Sequence, residues 1–150
     1  MISRFEKLSS TISEISRIIQ KISSQIMREF GLRGSYAKYL LVLMRYPDGI
    51  TATAICDICE RNKADVSRAL CELWEMGLVE RISRGTYRAK LTLTQKGREI
   101  ADELKLRASR VISYVGKDIE DQERDVFYRS LESIATNLEA IESGASVPHA

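Results

Sequence analysis

The chain is poor in the residues that most chemistry needs. Histidine occurs once, as His149 in the last few residues, where it can neither orient a catalytic triad nor complete a metal site. There is no glycine-rich phosphate loop and no carboxylate pair with a nearby base, so the residues argue against an enzyme and imply no cofactor. The longest strongly apolar run, Tyr39 to Met44, is too short to cross a bilayer. The opening residues MISRFEK carry charge at once and hold no apolar signal core. These absences point to a cytoplasmic protein that does not enter a membrane. Cysteine is sparse too: Cys56, Cys59 and Cys71 in a reducing compartment do not make a disulfide framework.

One stretch lacks acid altogether. Between Arg81 and Arg98 stand Arg81, Arg84, Arg88, Lys90, Lys96 and Arg98, with no Asp or Glu among them. The wider charge balance leans the same way: residues 1–98 hold 17 basic and 10 acidic side chains, residues 99–150 hold 6 and 11. A block of one sign points to a polyanionic partner, although standing alone it reads equally well as a solvated hairpin.

What is present is a sequence of helices with one hairpin. Phe5, Leu8, Ile12, Ile15, Ile19, Ile22, Ile26 and Phe30 recur at steps of three and four, which predicts one long amphipathic helix over residues 4–30. Its stripe is longer than a small globule needs, which implies packing against a second chain. Gly31 and Gly34 close it, Tyr36 to Tyr46 form a second helix, and Pro47-Asp48-Gly49 turns the chain. Thr51 caps a short helix through Cys59 with Ile55, Cys56 and Cys59 inward, and Glu60-Arg61 makes a tight connection. Asn62 caps the next helix, which buries Val66, Ala69, Leu70 and Leu73 and stops at Gly77.

Leu78 to Ile82 and Arg88 to Leu93 read as strands around Ser83-Arg84-Gly85-Thr86. Ala89, Leu91 and Leu93 alternate with Arg88, Lys90 and Thr92, so one face of the second strand should be core and the other basic. Thr94 caps a long helix from Gln95 to Val115. After Gly116 a last helix, Glu120 to Ile141, turns Val126, Phe127, Leu131, Ile134, Leu138 and Ile141 inward. Two short helices followed by a basic hairpin make a helix-turn-helix with a wing. The fold is thus mainly α with a small β-wing, a winged helix-turn-helix (35–98) between an N-terminal dimerisation helix (1–34) and C-terminal dimerisation helices (99–142), with a loose tail (143–150).

At Ile50-Thr51, Val66-Ser67-Arg68, Leu73, Met76-Gly77-Leu78-Val79-Glu80-Arg81 and Leu91-Thr92-Leu93-Thr94-Gln95-Lys96-Gly97 the sequence resembles the MarR family of winged-helix transcriptional regulators. The resemblance spans nearly the whole chain and rests on the order and spacing of these strings. It implies a homodimer on a pseudo-palindromic DNA operator, a repressor relieved by a small-molecule effector. Two positions depart from the family pattern. Its wing commonly carries Asp-x-Arg where this chain has Thr86-Tyr87-Arg88, and its helix-turn-helix turn is often Gly where this chain has Glu60.

Candidate residues follow from the helical phase. With Val66, Leu70 and Leu73 inward, the second helix of the motif presents Lys63, Ala64, Ser67, Arg68 and Cys71 to double-stranded DNA. Arg68 suits a phosphate or guanine contact; its bland alternative is a surface pair with Glu72 at i+4. Asp65 reads better as part of the helix cap. Arg84, Arg88 and Lys90 belong to the wing, where Arg84 and Arg88 meet the backbone or a narrow minor groove. The dimer interface is assigned to Phe5, Leu8, Ile12, Ile15, Ile19, Leu131, Ile134, Leu138 and Ile141. Tyr36, Tyr39, Tyr46, Arg107 and Val111 either line a pocket for a small aromatic effector, as the resemblance implies, or are ordinary core.

Cys56 and Cys59 form a CxxC on the inner side of a short helix, which favours buried small hydrophobes over a zinc knuckle. Two rival readings remain open. One is an ArsR-like thiol or metal sensor using Cys56 and Cys59; the other is a winged-helix interaction module without DNA binding. Cys71, facing outward, is the candidate reactive thiol.

Overall fold

The computed structural model describes residues 3–82 and 89–144. The chain divides into two compact units, Met1–Ser109 and Arg110–Ala150. In the first, Ser3 opens helix α1 (Arg4–Glu29) with a reciprocal cap: its Oγ accepts from the Glu6 amide at 3.0 Å, and Glu6 Oε2 accepts from the Ser3 amide at 2.8 Å. A short 3-10 turn (Gly34–Tyr36) leads into α2 (Ala37–Met44), so the second helix begins more tightly wound than its apolar pattern implied.

Next come β1 (Ile50–Thr51), α3 (Ala52–Cys59), α4 (Lys63–Glu75), β2 (Val79–Arg81), β3 (Lys90–Leu93) and α5 (Gln95–Val115). The sheet is antiparallel in the order β1-β3-β2, with Ile50 opposite Leu91 and Val79 opposite Leu93. The wing strand β3 is therefore central, flanked on both sides. The expected alternation is corrected on this strand: Lys90 is exposed, but Thr92 is buried, and its hydroxyl donates to the Pro47 carbonyl at 3.2 Å.

Met27, Leu40, Leu43, Ile55, Leu73, Leu78, Leu93 and Leu104 are all buried to 1% exposure or less and form the centre of this unit's core. Gly97 permits close backbone packing within it. A Cβ on Gly97 would lie 2.0 Å from the Leu78 carbonyl oxygen, so the start of α5 can approach the chain before β2 only without a side chain there.

The second unit takes the last turns of α5 and helix α6 (Asp121–Glu142). Arg124 ties its connection together, donating to the carbonyls of Gly116 and Ile119, both at 3.0 Å, and pairing with Asp121 at 2.9 Å. α6 contains no buried residue. Its apolar row does not turn inward within this chain: Val126, Phe127, Leu138 and Ile141 are exposed, and Leu131 and Ile134 are half-buried. Among the described residues, no helix is long and apolar enough to cross a membrane.

Candidate nucleic-acid interface

The geometry of α4 begins in the turn before it. Glu60 closes α3 in the left-handed region, φ 50° and ψ 48°, a conformation that a side chain makes unfavourable by about 1–2 kcal/mol. Its neighbours hold it there. The Arg61 amide donates to the Cys56 carbonyl at 3.1 Å, and Lys38 Nζ donates to the Cys59 carbonyl at 3.0 Å. The second bond places a cation at the negative end of α3, where it is favoured. The turn thus keeps the geometry a glycine would adopt freely.

Asn62 then starts α4. Its Oδ1 accepts from the Asp65 amide at 2.8 Å and its Nδ2 donates to Asp65 Oδ2 at 3.0 Å, so Asp65 belongs to the cap. Such a cap is worth about 1 kcal/mol to the helix it opens. From there the side chains sort by phase: Val66, Ala69, Leu70 and Leu73 are buried, while Lys63, Ala64, Ser67, Arg68 and Cys71 are exposed. All five residues assigned to DNA on this helix share one solvent-facing side.

The far end of α4 is anchored by the basic stretch. Gly77 takes φ +71°, letting the Leu78 amide return to the Leu73 carbonyl at 2.9 Å. Thr94 Oγ1 donates to the Gly77 carbonyl at 2.7 Å, Lys96 Nζ reaches the Met76 carbonyl at 3.4 Å, and Arg98 Nη1 donates to the Leu93 carbonyl at 2.6 Å. The Arg81 guanidinium lies 5.5 Å from the centroid of the Trp74 ring. Arg81, Lys96 and Arg98 therefore fasten β2, β3 and α5 to one another and to α4 while remaining exposed. Arg84 and Arg88 lie outside the described residues.

The surface pair between Arg68 and Glu72 does not form. Tyr36 Oη donates to Glu72 Oε2 at 2.5 Å, and Arg33 Nη2 lies 3.5 Å from Glu72 Oε1. Burial, then the hydrogen bond to the Glu72 carboxylate, pushes the Tyr36 phenol up to about 12. Magnitudes explain the choice of partner. An unsatisfied buried hydroxyl costs about 1–3 kcal/mol, whereas an exposed Arg–Glu pair contributes about 0.2–1 kcal/mol. Tyr36 takes the carboxylate, and the Arg68 guanidinium has no ion pair or hydrogen bond among the described residues.

Arg68 faces a cleft of about 190 Å³ that Arg33, Tyr36, Tyr39 and Arg61 also line. The sequence alone does not single out Arg33 and Arg61, because they come from two separate turns. Of the five residues assigned to an effector, the structure brings Tyr36 and Tyr39 together in this cleft, and burial raises the Tyr39 phenol as well. Tyr46 is exposed beyond the end of α2. Arg107 pairs with Glu29 and with Glu103, and stands 5.6 Å from the Phe30 ring. Val111 belongs to the second unit.

Cys59 is 1% exposed and burial raises its thiol, with Lys38 pulling the other way; Cys56 is half-buried. Among the described residues no group of three or more His, Cys, Asp or Glu could hold a metal ion. On α1, the interface candidates Phe5, Leu8, Ile12, Ile15 and Ile19 are exposed.

No family model matches the sequence, and a search of curated proteins finds no match. Solved structures do match. A MarR transcriptional regulator from Methanosarcina mazei Go1 is 25% identical with a TM-score of 0.80, over 91% of this chain and 92% of that one. S. aureus MepR, in a complex with DNA, is 19% identical with a TM-score of 0.77, over 91% and 99%. A MarR family regulator from Listeria monocytogenes, complexed with a 26mer DNA, is 20% identical with a TM-score of 0.75, over 93% and 97%. A helix-turn-helix with its strand pair, set between long helices, here has the fold of the MarR-family transcriptional regulators.

Proposed function

We propose that this chain is a DNA-binding transcriptional regulator, a repressor that reads a pseudo-palindromic operator as a homodimer. The observation that carries the reading is α4. It is capped by Asn62, buried along one row and exposed along another at Lys63, Ala64, Ser67, Arg68 and Cys71. An α-helix of this kind fits the major groove and reaches base edges from its first turns. The neighbours from S. aureus and Listeria monocytogenes were solved with DNA, which supports the same use here.

The homodimer is supported by α1 and α6, which leave long apolar rows exposed at Phe5, Ile12, Ile15, Ile19, Leu138 and Ile141. A second copy would cover such rows and supply two recognition helices for a two-fold operator. The small aromatic effector is assigned to the cleft at Tyr36 and Tyr39, which Arg33, Arg61, Asp65 and Arg68 also line.

Selection of bound duplexes from a random pool, at stated salt, tests the reading. It should return one enriched inverted repeat, and Arg68→Ala should weaken binding to it by about 1–3 kcal/mol and relax preference at one position per half-site. Removing Arg84 or Arg88 should instead weaken many sequences alike and lower the salt slope by about one unit per lost phosphate contact. No enrichment, with all three variants behaving like the parent, would leave a winged-helix interaction module as the better account.

A further inference from the structure

Glu72 stands one helical turn after Arg68 on α4, the spacing at which a carboxylate neutralises a guanidinium on the same helix. It does not do so, because both its oxygens are engaged from the turn before α2. Oε2 accepts from Tyr36 Oη at 2.5 Å and Oε1 lies 3.5 Å from Arg33 Nη2. Tyr36 is 5% exposed and Glu72 is the one hydrogen-bond partner of its phenol hydroxyl among the described residues, while the Arg33 side chain is largely in solvent. Of the two contacts, the phenol's is the one held in place by packing.

We propose that Tyr36 is a positioning residue for DNA binding: by holding the Glu72 carboxylate it keeps the Arg68 guanidinium unneutralised and available to the nucleic acid. The inference rests on the regulator reading above. Tyr36 itself does not touch DNA in this scheme; it acts on Arg68 through Glu72. Lose the phenol hydroxyl, and Glu72 is retained only by an exposed arginine, with Arg68 competing for it on equal terms. Pairing with Glu72 then removes one cation from those that displace counterions from the duplex, so affinity and its salt dependence should fall together.

The test uses the full chain and a fluorescently labelled duplex selected from a random pool by the parent protein. Tyr36→Phe should weaken binding about two- to fivefold at low salt, the equivalent of losing an exposed ion pair's worth of charge, and should lower the salt slope by up to about one unit. Glu72→Gln alone should bind at least as tightly as the parent, and adding it to Tyr36→Phe should restore both affinity and slope. In an Arg68→Ala background, Tyr36→Phe should change neither. A merely structural tether predicts the opposite: Glu72→Gln would weaken binding as Tyr36→Phe does, and the double variant would stay weak. Either result overturns the proposal.

A measurement without DNA separates this proposal from the reading beneath it. The Arg68 Nε–Hε signal in the NMR spectrum of the free protein should shift in Tyr36→Phe and return in the double variant. If it does so while the parent enriches no duplex, Tyr36 still governs the pairing of Glu72 with Arg68, but the regulator reading fails and the use of that pairing in DNA binding fails with it. If the parent binds its selected duplex and Arg68→Ala weakens it, but Tyr36→Phe changes neither binding nor that signal, the positioning role fails alone.

Discussion

Helices α4 and α6 carry the same kind of apolar row and meet opposite fates. In α4, Val66, Ala69, Leu70 and Leu73 are all buried, packed among α3, β2 and the remaining core of the first unit. In α6, a comparable row leaves Leu138 at 53% exposure and Phe127 at 51%, with no residue buried. Helix α1 combines both behaviours, with Met27 fully buried near one end and Phe5 at 72% exposure near the other. A stripe at 3.6-residue spacing thus states that a helix needs an apolar partner. Whether that partner lies in the same chain is a separate matter.

Paired truncations should break or sharpen this contrast. Leu73→Ala removes a fully buried side chain and should lower stability by about 2–5 kcal/mol, the range for such cavities. Its effect on the melting temperature should be the same at every protein concentration. Leu138→Ala should act through association, so its melting-temperature drop should shrink as protein concentration rises. Melts over a hundredfold concentration range check both. A Leu138→Ala drop that ignores concentration would remove α6 from the proposed dimer interface.

A smaller loss is expected from Gly97→Ala. The new Cβ meets the Leu78 carbonyl oxygen, backbone that cannot swing aside, and the strain should amount to about 1–3 kcal/mol in denaturant unfolding. The equivalent change at Gly116 in the second unit, where the nearest atom to an added Cβ is the Ile112 carbonyl oxygen at 3.4 Å, should be milder. Equal losses at the two sites would contradict the closer packing of the first unit.

The first unit should also have its own alkaline limit. Tyr36 is raised from 10 to about 12 by burial and by Glu72, so the folded state disfavours the phenolate more than the unfolded chain does. Its contribution is fully present below pH 10 and is lost as pH climbs from 10 through about 12. Stability measured across that window should fall less steeply in Tyr36→Phe, and an absorbance titration should lose one late-ionising phenol. The smallest effect is expected at Glu60→Gly. Relief of about 1–2 kcal/mol of backbone strain is offset by about 0.5–1 kcal/mol of added chain entropy. The net gain should be about 0.5 kcal/mol, with DNA affinity unchanged.

Local features are legible in the residues themselves. Thr51 and Asn62 cap where their side-chain oxygens meet the third amide of a helix, and Gly77 ends α4 where a left-handed residue is required. The exposed row of α4 follows from the phase of its buried row. Three features are not legible in this way. β1 is two residues long, below any periodic signal, yet by pairing with β3 it makes that strand central. Glu60 gives no sign of a left-handed turn, because its neighbours' hydrogen bonds impose it. The third is the partner of Glu72, and with it the placing of Arg33 and Arg61 beside Arg68.

The sequence by itself determined which helices form, where they are capped and which face of each is apolar. Those properties depend on residues at most four apart, whose relative positions the helix geometry sets in advance. Only the tertiary structure decided that Tyr36, thirty-six residues before Glu72, would claim its carboxylate and leave Arg68 open. That outcome depends on a buried phenol outcompeting an exposed guanidinium, and burial is a property of the packed chain.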